Sequence, residues 1–262
     1  MIDLNADLGE SFGIYTMGND ACMMPHITSA NIACGFHAGD PLVMQQTVEL
    51  ALKYGVAVGA HPGYPDLQGF GRRQMRFSSE EIMAMILYQA GALKAFLQAC
   101  GGKLQHLKPH GALYNEAAVD EPLAMAVAKA TALLGTDVIL VGPPNSALSR
   151  AADRCQTPYA REIFADRAYE DDGRLVERRK EGALIHDVGL CIQRMLSMIN
   201  GQPIESINGH ALHLSGETIC LHGDHPQAIA FAAALKKAIQ ESQTPLVPLE
   251  KLLFKQQQPP VL

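Results

Sequence analysis

Short apolar segments alternate with longer amphipathic segments along most of the chain. Each apolar segment is followed by a polar loop, usually with glycine, and then by apolar residues at helical spacing. Continuous apolar runs of about four to eight residues are typical of strands covered on both faces of a parallel sheet. The predicted strands are residues 2–5, 27–33, 56–60, 104–108, 138–141, 159–164 and 218–221.

The ends of the predicted helices carry clear capping signals. Asp40 has the position of an N-cap before Pro41, and Gly55 has that of a C-terminal stop. Ser78 and Glu81 have the spacing of a capping box that opens a long helix. Further helices are predicted over residues 121–134, from 146, over 184–199 and from 225, with a turn at 171–174 in an excursion from the regular repeat. The buried face of the first helix is predicted to contain Leu42, Val48, Ala51 and Leu52.

Strands and helices that alternate in this way predict an α/β fold with a parallel sheet and right-handed crossovers. The chain has 262 residues, and a length near 250 is typical of an α/β barrel. A doubly wound open sheet would have the same pattern, so both architectures remain open at this point. We expect a single catalytic domain over residues 1–262, because no Pro- or Ser-rich linker divides the chain.

Composition narrows the class of partner and the compartment. A net charge of −6 argues against a nucleic-acid partner, since phosphate binding needs basic surface. The six cysteines form no CxxC pair and are expected to be free thiols in a reducing compartment. The acidic N-terminal residues differ from a signal peptide, and no continuous apolar run reaches the ~18 residues of a membrane span. We therefore expect a cytoplasmic protein that contacts neither nucleic acid nor membrane.

Polar residues with chemical potential concentrate where the predicted strands end. In chain order they are Asn5, Asp7 and Glu10; Asn31, Cys34 and His37; His61; Lys108 and His110; Asn145; Glu162, Asp166 and Arg167; and His222, Asp224 and His225. The carboxyl ends of parallel strands meet at one edge, where active sites of such folds lie. The histidines without this placement are interpreted as structural or surface residues, namely His26, His106, His186, His210 and His213.

Two chemistries fit this cluster. In one, Asp7, His37 and His61 bind a divalent metal ion that activates water. In the other, Lys108 and the Arg72-Arg73 pair hold phosphates while carboxylates position Mg²⁺ or act as base. The sequence contains no HExxH, P-loop, GxGxxG or GxSxG motif. A nucleophilic role for Cys34 is conceivable, but a buried structural thiol is the preferred interpretation.

Seven longer motifs resemble the LamB/YcsF family. They are DLNADLGE at residues 3–10, NIACGFHAGD at 31–40, GAHPGYPD at 59–66, GFGRR at 69–73, KPHGALYN at 108–115, EIFADRAY at 162–169 and LHGD at 221–224. The motifs occur in order over nearly the whole chain. The resemblance implies a seven-stranded (β/α)7 barrel similar to the glycoside hydrolase and polysaccharide deacetylase folds.

The resemblance also implies ATP-dependent hydrolysis of 5-oxo-L-proline (pyroglutamate) to L-glutamate, with ATP and Mg²⁺ and with 5-oxoprolinase subunits B and C as partners. Under this hypothesis the catalytic residues are Asp7, His61, Lys108, His110 and Glu162. The residues that would bind substrate or nucleotide are Asn5, Asn31, His37, Arg72, Arg73, Asp166, Arg167 and His222. A divalent metal at Asp7, His37 and His61 is a further possibility. Two alternatives are a stand-alone metal-dependent hydrolase of an amide or carbohydrate, similar to a deacetylase, and a non-enzymatic scaffold.

Overall fold

Seven parallel strands close into a barrel in a computed structural model that describes residues 1–221 and 228–254. The barrel strands are β1 (Asp3–Leu8), β2 (Ser29–Ala33), β3 (Ala57–His61), β4 (Leu104–Leu107), β5 (Ile139–Gly142), β6 (Tyr159–Phe164) and β9 (Thr218–Leu221). They pair in chain order, and β9 closes the barrel between β6 and β1. All seven predicted strands are confirmed, and the open-sheet alternative is wrong.

Helices connect successive strands and cover the outside of the barrel. They are α1 (Asp20–Met23), α2 (Pro41–Tyr54), α3 (Ser79–Ala99), α4 (Gly111–Ala117), α5 (Glu121–Leu134), α6 (Ala147–Cys155), α7 (Val188–Ile199), α8 (Ala228–Glu241) and α9 (Leu249–Leu253). The predicted opening of α8 at His225 and Pro226 lies outside the described residues.

The predicted caps are present. Asp40 accepts hydrogen bonds from the backbone of Leu42 at 2.9 Å and of Val43 at 3.0 Å, and Gly55 ends α2 with φ of 66°. Both bonds of the Ser78–Glu81 capping box form at the start of α3. The predicted buried face of α2 was wrong at Leu42, which is 69% exposed because it lies in the first turn on the side away from the barrel. Its buried residues are Met44, Thr47, Val48 and Ala51.

On β1, polar side chains enter the barrel, whereas apolar ones belong to the hydrophobic core around it. On β1, Asp3, Asn5 and Asp7 are hydrogen-bonded to other parts of the barrel, and Leu4 and Leu8 belong to the surrounding hydrophobic core. A strand sends alternate side chains to opposite faces, so every second residue of β1 enters the barrel. β1 is therefore longer than predicted, and two of the polar residues expected after it lie within it.

The connection from β6 to β9 departs from the regular repeat, as expected. Backbone bridges join Arg167 to Leu184 and Tyr169 to Leu175, and they shape residues 165–187 into a compact excursion. Because Leu184 takes part in a bridge, α7 begins at Val188, four residues later than predicted. A short antiparallel pair, β7 (Ile204–Glu205) with β8 (Ala211–Leu212), follows α7. Strands of two residues are too short to produce a periodic pattern.

Within the described residues, α3 is the one helix long and apolar enough, by length and composition, to cross a membrane. Helices in the core of a folded protein pass the same test. One face of α3 is buried against the rest of the fold, through Ile82, Ile86, Ala90, Leu93 and Leu97.

Candidate active site

Three buried histidines from consecutive strand–helix connections meet at the carboxyl end of the barrel. His61 ends β3, His37 lies in the loop after β2, and His110 directly precedes α4. The rings of His37 and His110 are stacked with centroids 3.6 Å apart. The ring of His61 stands edge-on to both, at 5.4 Å from His37 and 4.8 Å from His110. The structure thus brings together three of the predicted site residues.

The loop between β3 and α3 approaches these rings closely because residue 71 is glycine. Gly71 has φ of 63°, and a Cβ atom there would lie 2.7 Å from His37 Cβ and 2.8 Å from His110 Cδ2. Phe70 also has a left-handed backbone, with φ of 54°, and its carbonyl oxygen lies 2.8 Å from His110 Nε2. Left-handed residues at two successive positions are uncommon outside glycine and are concentrated at functional sites.

Backbone carbonyl groups determine which nitrogens of two rings carry a proton. A carbonyl oxygen only accepts, so His61 Nδ1 donates to Lys108 O at 2.7 Å and His110 Nε2 donates to Phe70 O. In neutral rings, the lone pairs of His61 Nε2 and His110 Nδ1 then face each other at 3.0 Å. Burial and the neighbouring imidazoles lower the pKa of His37 and of His110 well below the ordinary histidine value.

Glu10 completes a group of four side chains that could hold a divalent metal ion. One ligand atom from each of Glu10, His37, His61 and His110 lies within 4.8 Å of the others. Three imidazoles and a carboxylate suit zinc and similar transition ions better than Mg²⁺, which prefers oxygen. His37 fits such a role, since neither of its buried ring nitrogens makes a hydrogen bond to a described residue. The ring planes of His37 and His110 are within 1° of parallel, so one of them must rotate before both can bind the same ion.

Asp7, the carboxylate predicted as a metal ligand, lies beside this group. Its Oδ2 is 3.4 Å from His61 Nε2, while its Oδ1 accepts from Lys108 at 3.0 Å and from Asn31 at 2.8 Å. Asp7 as a ligand therefore stays a prediction, and Glu10, seen in the sequence only as a polar residue after the first strand, joins the candidate set with His110.

Lys108 is a buried cation between two carboxylates. Its Nζ lies 3.0 Å from Asp7 Oδ1 and 2.9 Å from Glu162 Oε1, and the side chain of Glu162 is fully buried. Burial alone would lower the pKa of Lys108, but the carboxylates of Asp7 and Glu162 raise it well above the ordinary lysine value. A buried cation needs an anionic partner, and Lys108 has two, the carboxylates of Asp7 and Glu162.

Asn5 and Asn31 lie deeper in the barrel and are fully engaged by protein groups. Asn5 Nδ2 donates to Glu162 at 3.1 Å and to Thr218 at 2.6 Å. Asn31 is bonded to Asn5, to Asp7 and to His106, a residue that the sequence analysis left outside the site. The sequence signal that could have found it is the spacing of two residues between His106 and Lys108 within the strand predicted over residues 104–108.

The predicted arginines lie in different surroundings. Arg72 is exposed and places Cζ 4.8 Å from the centroid of the Phe70 ring, beside the histidines. Arg73 is paired with Asp66 on the same loop. Arg167 is buried, donates to Val176 O at 2.7 Å, and has an Nε that makes no hydrogen bond within the described ranges.

Two further residues were predicted to bind substrate or nucleotide. Asp166 follows Phe164 at the end of β6, and its backbone oxygen accepts from Ile185 at 2.9 Å. His222 lies outside the described residues.

Cys34 is a structural thiol. It is 4% exposed, and its Sγ donates to the carbonyl oxygen of Ile32 at 3.1 Å. Burial raises its pKa to about 12, so the thiolate needed for nucleophilic attack does not form near neutral pH. The preferred interpretation from the sequence agrees with this geometry.

A model of one protein family, the LamB/YcsF family, matches residues 2–254. The chain belongs to the LamB/YcsF family. A LamB/YcsF relative from Campylobacter jejuni (strain 81-176), named as the A subunit of 5-oxoprolinase, is 50% identical over 96% of this chain and 99% of its own. A relative of the same name from Thermococcus sibiricus is also 50% identical, over 96% and 99% of the two chains.

A solved structure agrees with the barrel. The lactam utilization protein from Thermus thermophilus superimposes with a TM-score of 0.89 at 41% identity, covering 94% of this chain and 98% of the other. The LamB/YcsF motifs supply Asp7, Glu10, His37, His61 and His110, which lie together at the carboxyl end of the barrel.

Proposed function

We propose that this chain is the A subunit of a 5-oxoprolinase, which opens 5-oxo-L-proline to L-glutamate with cleavage of ATP, together with subunits B and C. The observation that carries the proposal is the 50% identity, over nearly the full length of both chains, to relatives named as that subunit. A buried cluster of carboxylates, histidines and lysine at the catalytic end of the barrel supports it.

The chemistry requires activation of a stable amide. Transfer of the γ-phosphoryl group from ATP to the lactam oxygen would form an O–P bond and release ADP. Water would then add to the activated carbon, and the C–N bond would break with protonation of nitrogen. A second water would release phosphate from the resulting acyl phosphate and leave glutamate. These steps need an acid, a base and groups that bind anions.

Asp7 is our candidate for the base. The Asp7 side chain is 16% exposed and faces His61. Glu162 lies equally close to Lys108, but its carboxylate is fully buried. We propose that His61 and His110 move protons at the two nitrogens that face each other at 3.0 Å. Glu162 and Asp7 both pair with Lys108, because the lysine lies between the two carboxylates.

Two arginines are the candidates for binding anions. Arg72 is exposed beside the histidines, so we propose that it contacts a phosphate, with Mg²⁺ bound mainly through ATP. Arg167, buried at the end of β6 with a free Nε donor within the described ranges, is the candidate for the substrate carboxylate. Arg73 is less suited to either role because Asp66 already pairs with it.

We also propose that the protein acts in the cytoplasm. The six cysteines are free thiols, as is usual in a reducing compartment. ATP is available there as well.

A stand-alone metal-dependent amide or carbohydrate hydrolase is the second candidate function. The observation that favours it is the group of Glu10, His37, His61 and His110, whose donor set suits zinc. When bound, such an ion would supply Lewis-acid activation of water or of a carbonyl oxygen. This reaction would need neither ATP nor partners.

One assay separates these functions. Glutamate release from 5-oxoproline is measured with this chain alone and with subunits B and C, each with and without ATP and added zinc. We expect turnover only in the complete mixture with ATP. Hydrolysis of an amide by the chain alone, with zinc and without ATP, would support the second candidate, and a mixture inactive on the lactam would overturn the proposal.

A pair of variants tests whether this chain is merely a scaffold. His61→Ala removes a histidine of the cluster, and His213→Ala removes a histidine far from it in sequence and outside the buried core. We expect His61→Ala to abolish turnover while the complex still assembles by size-exclusion chromatography, and His213→Ala to behave as wild type. Full activity of His61→Ala would favour the scaffold.

A further inference from the structure

Asn31 connects a buried histidine to the carboxylate at the mouth of the barrel. Its Oδ1 lies 2.7 Å from His106 Nε2, and its Nδ2 donates to Asp7 Oδ1 at 2.8 Å and to Asn5 Oδ1 at 2.7 Å. Asn31 and His106 are both completely buried. Rotating the Asn31 carboxamide by 180° exchanges the positions of its oxygen, an acceptor, and its NH₂ group, a donor. The hydrogen-bonding partners therefore decide which of the two orientations is adopted.

The Asp7 carboxylate decides the orientation of this amide, because a carboxylate oxygen only accepts; Asn31 Oδ1 then faces His106 Nε2, which must donate to it. Burial, with a smaller contribution from Lys108, lowers the pKa of His106 to about 3, so the ring is neutral and carries one proton. With that proton on Nε2, His106 donates to Asn31 Oδ1 and leaves both amide hydrogens for Asp7 and Asn5. The reversed amide would place its oxygen against the carboxylate of Asp7, which is repulsive.

The barrel is built to hold this ring. Gly59 on β3 is the register partner of His106 on β4, and a Cβ atom at position 59 would collide with the imidazole. Only glycine leaves the space that the ring occupies. The ring occupies this space with its Nε2 2.7 Å from Asn31 Oδ1.

We propose that His106 is a positioning residue: through Asn31 it holds the Asp7 carboxylate in the orientation in which Asp7 serves as the base. The inference rests on the proposed function for the role of Asp7. It also reassigns Asn31, predicted to bind substrate, because the hydrogen-bonding groups of its side chain are already taken by protein.

Three variants in the complete complex test the role. His106→Phe keeps a ring but removes the donor, and His106→Gln restores a donor. Thr131→Val is the matched control, because it removes a completely buried hydroxyl that, among the described residues, bonds to Val127 O of its own helix α5. We expect His106→Phe to lower kcat by about 10–100-fold with KM changed less than about threefold. His106→Gln should recover at least about tenfold of that loss, and Thr131→Val should retain kcat.

A double-mutant cycle with Asp7→Asn shows whether His106 acts through Asp7. If it does, His106→Phe should cause no further loss of the residual activity in the Asp7→Asn background. Additive losses, or equal losses in the Phe and Gln variants, would overturn the positioning role. Thermal unfolding of each variant, recorded beside the kinetics, identifies any that fail to fold.

The hydrogen bond itself is tested without any assay of activity. In ¹³C,¹⁵N-labelled chain without substrate, NMR should show the His106 proton on Nε2, with a scalar coupling across the hydrogen bond from Nε2 to the Asn31 side-chain carbonyl carbon. A proton on Nδ1 would overturn the proposal. If the wild-type complex does not hydrolyse 5-oxoproline, the proposed function fails. The NMR measurement would still show whether His106 donates a hydrogen bond to Asn31.

Discussion

At the residue scale, the site depends on buried charges whose partners are supplied by distant parts of the chain. Lys108 is the clearest example, since Asp7 and Glu162 are 101 and 54 positions away in sequence yet lie within 3.0 Å of its Nζ. Removing one member of a buried pair leaves an uncompensated charge, which costs about 3–5 kcal/mol. The same residues therefore contribute to both stability and activity.

Lys108→Met removes the charge and nearly conserves the volume. We expect the free energy of unfolding at pH 7 to fall by about 3–5 kcal/mol, and kcat of the complex to fall at least about 100-fold. Urea denaturation and the glutamate assay measure the two effects. Lys94→Met is the control, because Lys94, on the outside of the barrel, donates to a backbone oxygen, Leu134 O, in the part of the chain that the structure describes. Full activity of Lys108→Met would show that the ion pairs of Lys108 with Asp7 and Glu162 are not needed for catalysis.

Asp3 predicts a pH dependence of stability. Burial raises its pKa from 3.8 to about 6, although hydroxyl groups of Ser29, Thr218 and Thr28 donate to it. The folded state thus holds this proton more tightly than the unfolded state. The stability it contributes is complete below pH 4 and is lost as the pH rises toward 6, a change of up to roughly 3 kcal/mol.

Asp3→Asn removes this titration. Between pH 4 and pH 7, we expect the free energy of unfolding of wild type to fall relative to that of Asp3→Asn. Urea denaturation at several pH values measures it, and the other titrating groups cancel in the difference. Parallel curves for the two proteins would show that Asp3 does not titrate in this range.

At the scale of elements, neighbouring strands fit each other through paired large and small residues. His106 on β4 lies opposite Gly59 on β3, and the register of this pair shifts by one residue just before it. His106, the first residue after this shift, bonds to Asn31 inside the barrel. The contact between β3 and β4 therefore decides how the polar interior is arranged.

Gly59→Ala should strain this contact. We expect a loss of about 1–3 kcal/mol of stability, typical of overpacking, and a loss of activity because His106 is displaced. In a His106→Ala background the same substitution should cost much less, since the ring is gone. Urea denaturation of the four proteins in this cycle gives the coupling energy. Equal costs in both backgrounds would show that the two residues do not meet.

At the scale of the whole molecule, the closed barrel gathers side chains from all its parts and so couples ligand binding to global stability. A ligand that binds only the folded chain raises its stability by about 2.7 kcal/mol at one hundred times its dissociation constant. The four-residue group Glu10, His37, His61 and His110 offers such a site.

We expect zinc in that excess to raise the thermal midpoint of the chelator-treated chain by roughly 5–10 °C. Mg²⁺ should have a much smaller effect, because the donors are mainly nitrogen. Differential scanning fluorimetry measures both, with His37→Ala as the variant that loses the shift and His213→Ala as the one that keeps it. An equal shift in both variants would place the bound ion elsewhere.

The sequence alone determined the elements and named most of the residues that meet in the candidate site. Periodicity and caps such as Asp40 and the Ser78–Glu81 pair are local, so seven strands and the helix starts were predictable within a few residues. The rule that chemistry gathers where parallel strands end also located His61 and His110, because it depends only on chain direction.

Only the tertiary structure decided how those residues combine. Closure into a barrel, the pairing of Lys108 with Asp7 and Glu162, and the entry of Glu10 and His106 into the polar network join residues far apart in sequence. Side-chain spacing along one strand shows which residues share a face, but it carries no information about which face of another strand lies opposite. Which strand faces lie opposite each other is fixed by the packing of the whole barrel. This packing connects polar residues at the ends of separate strands into one candidate site.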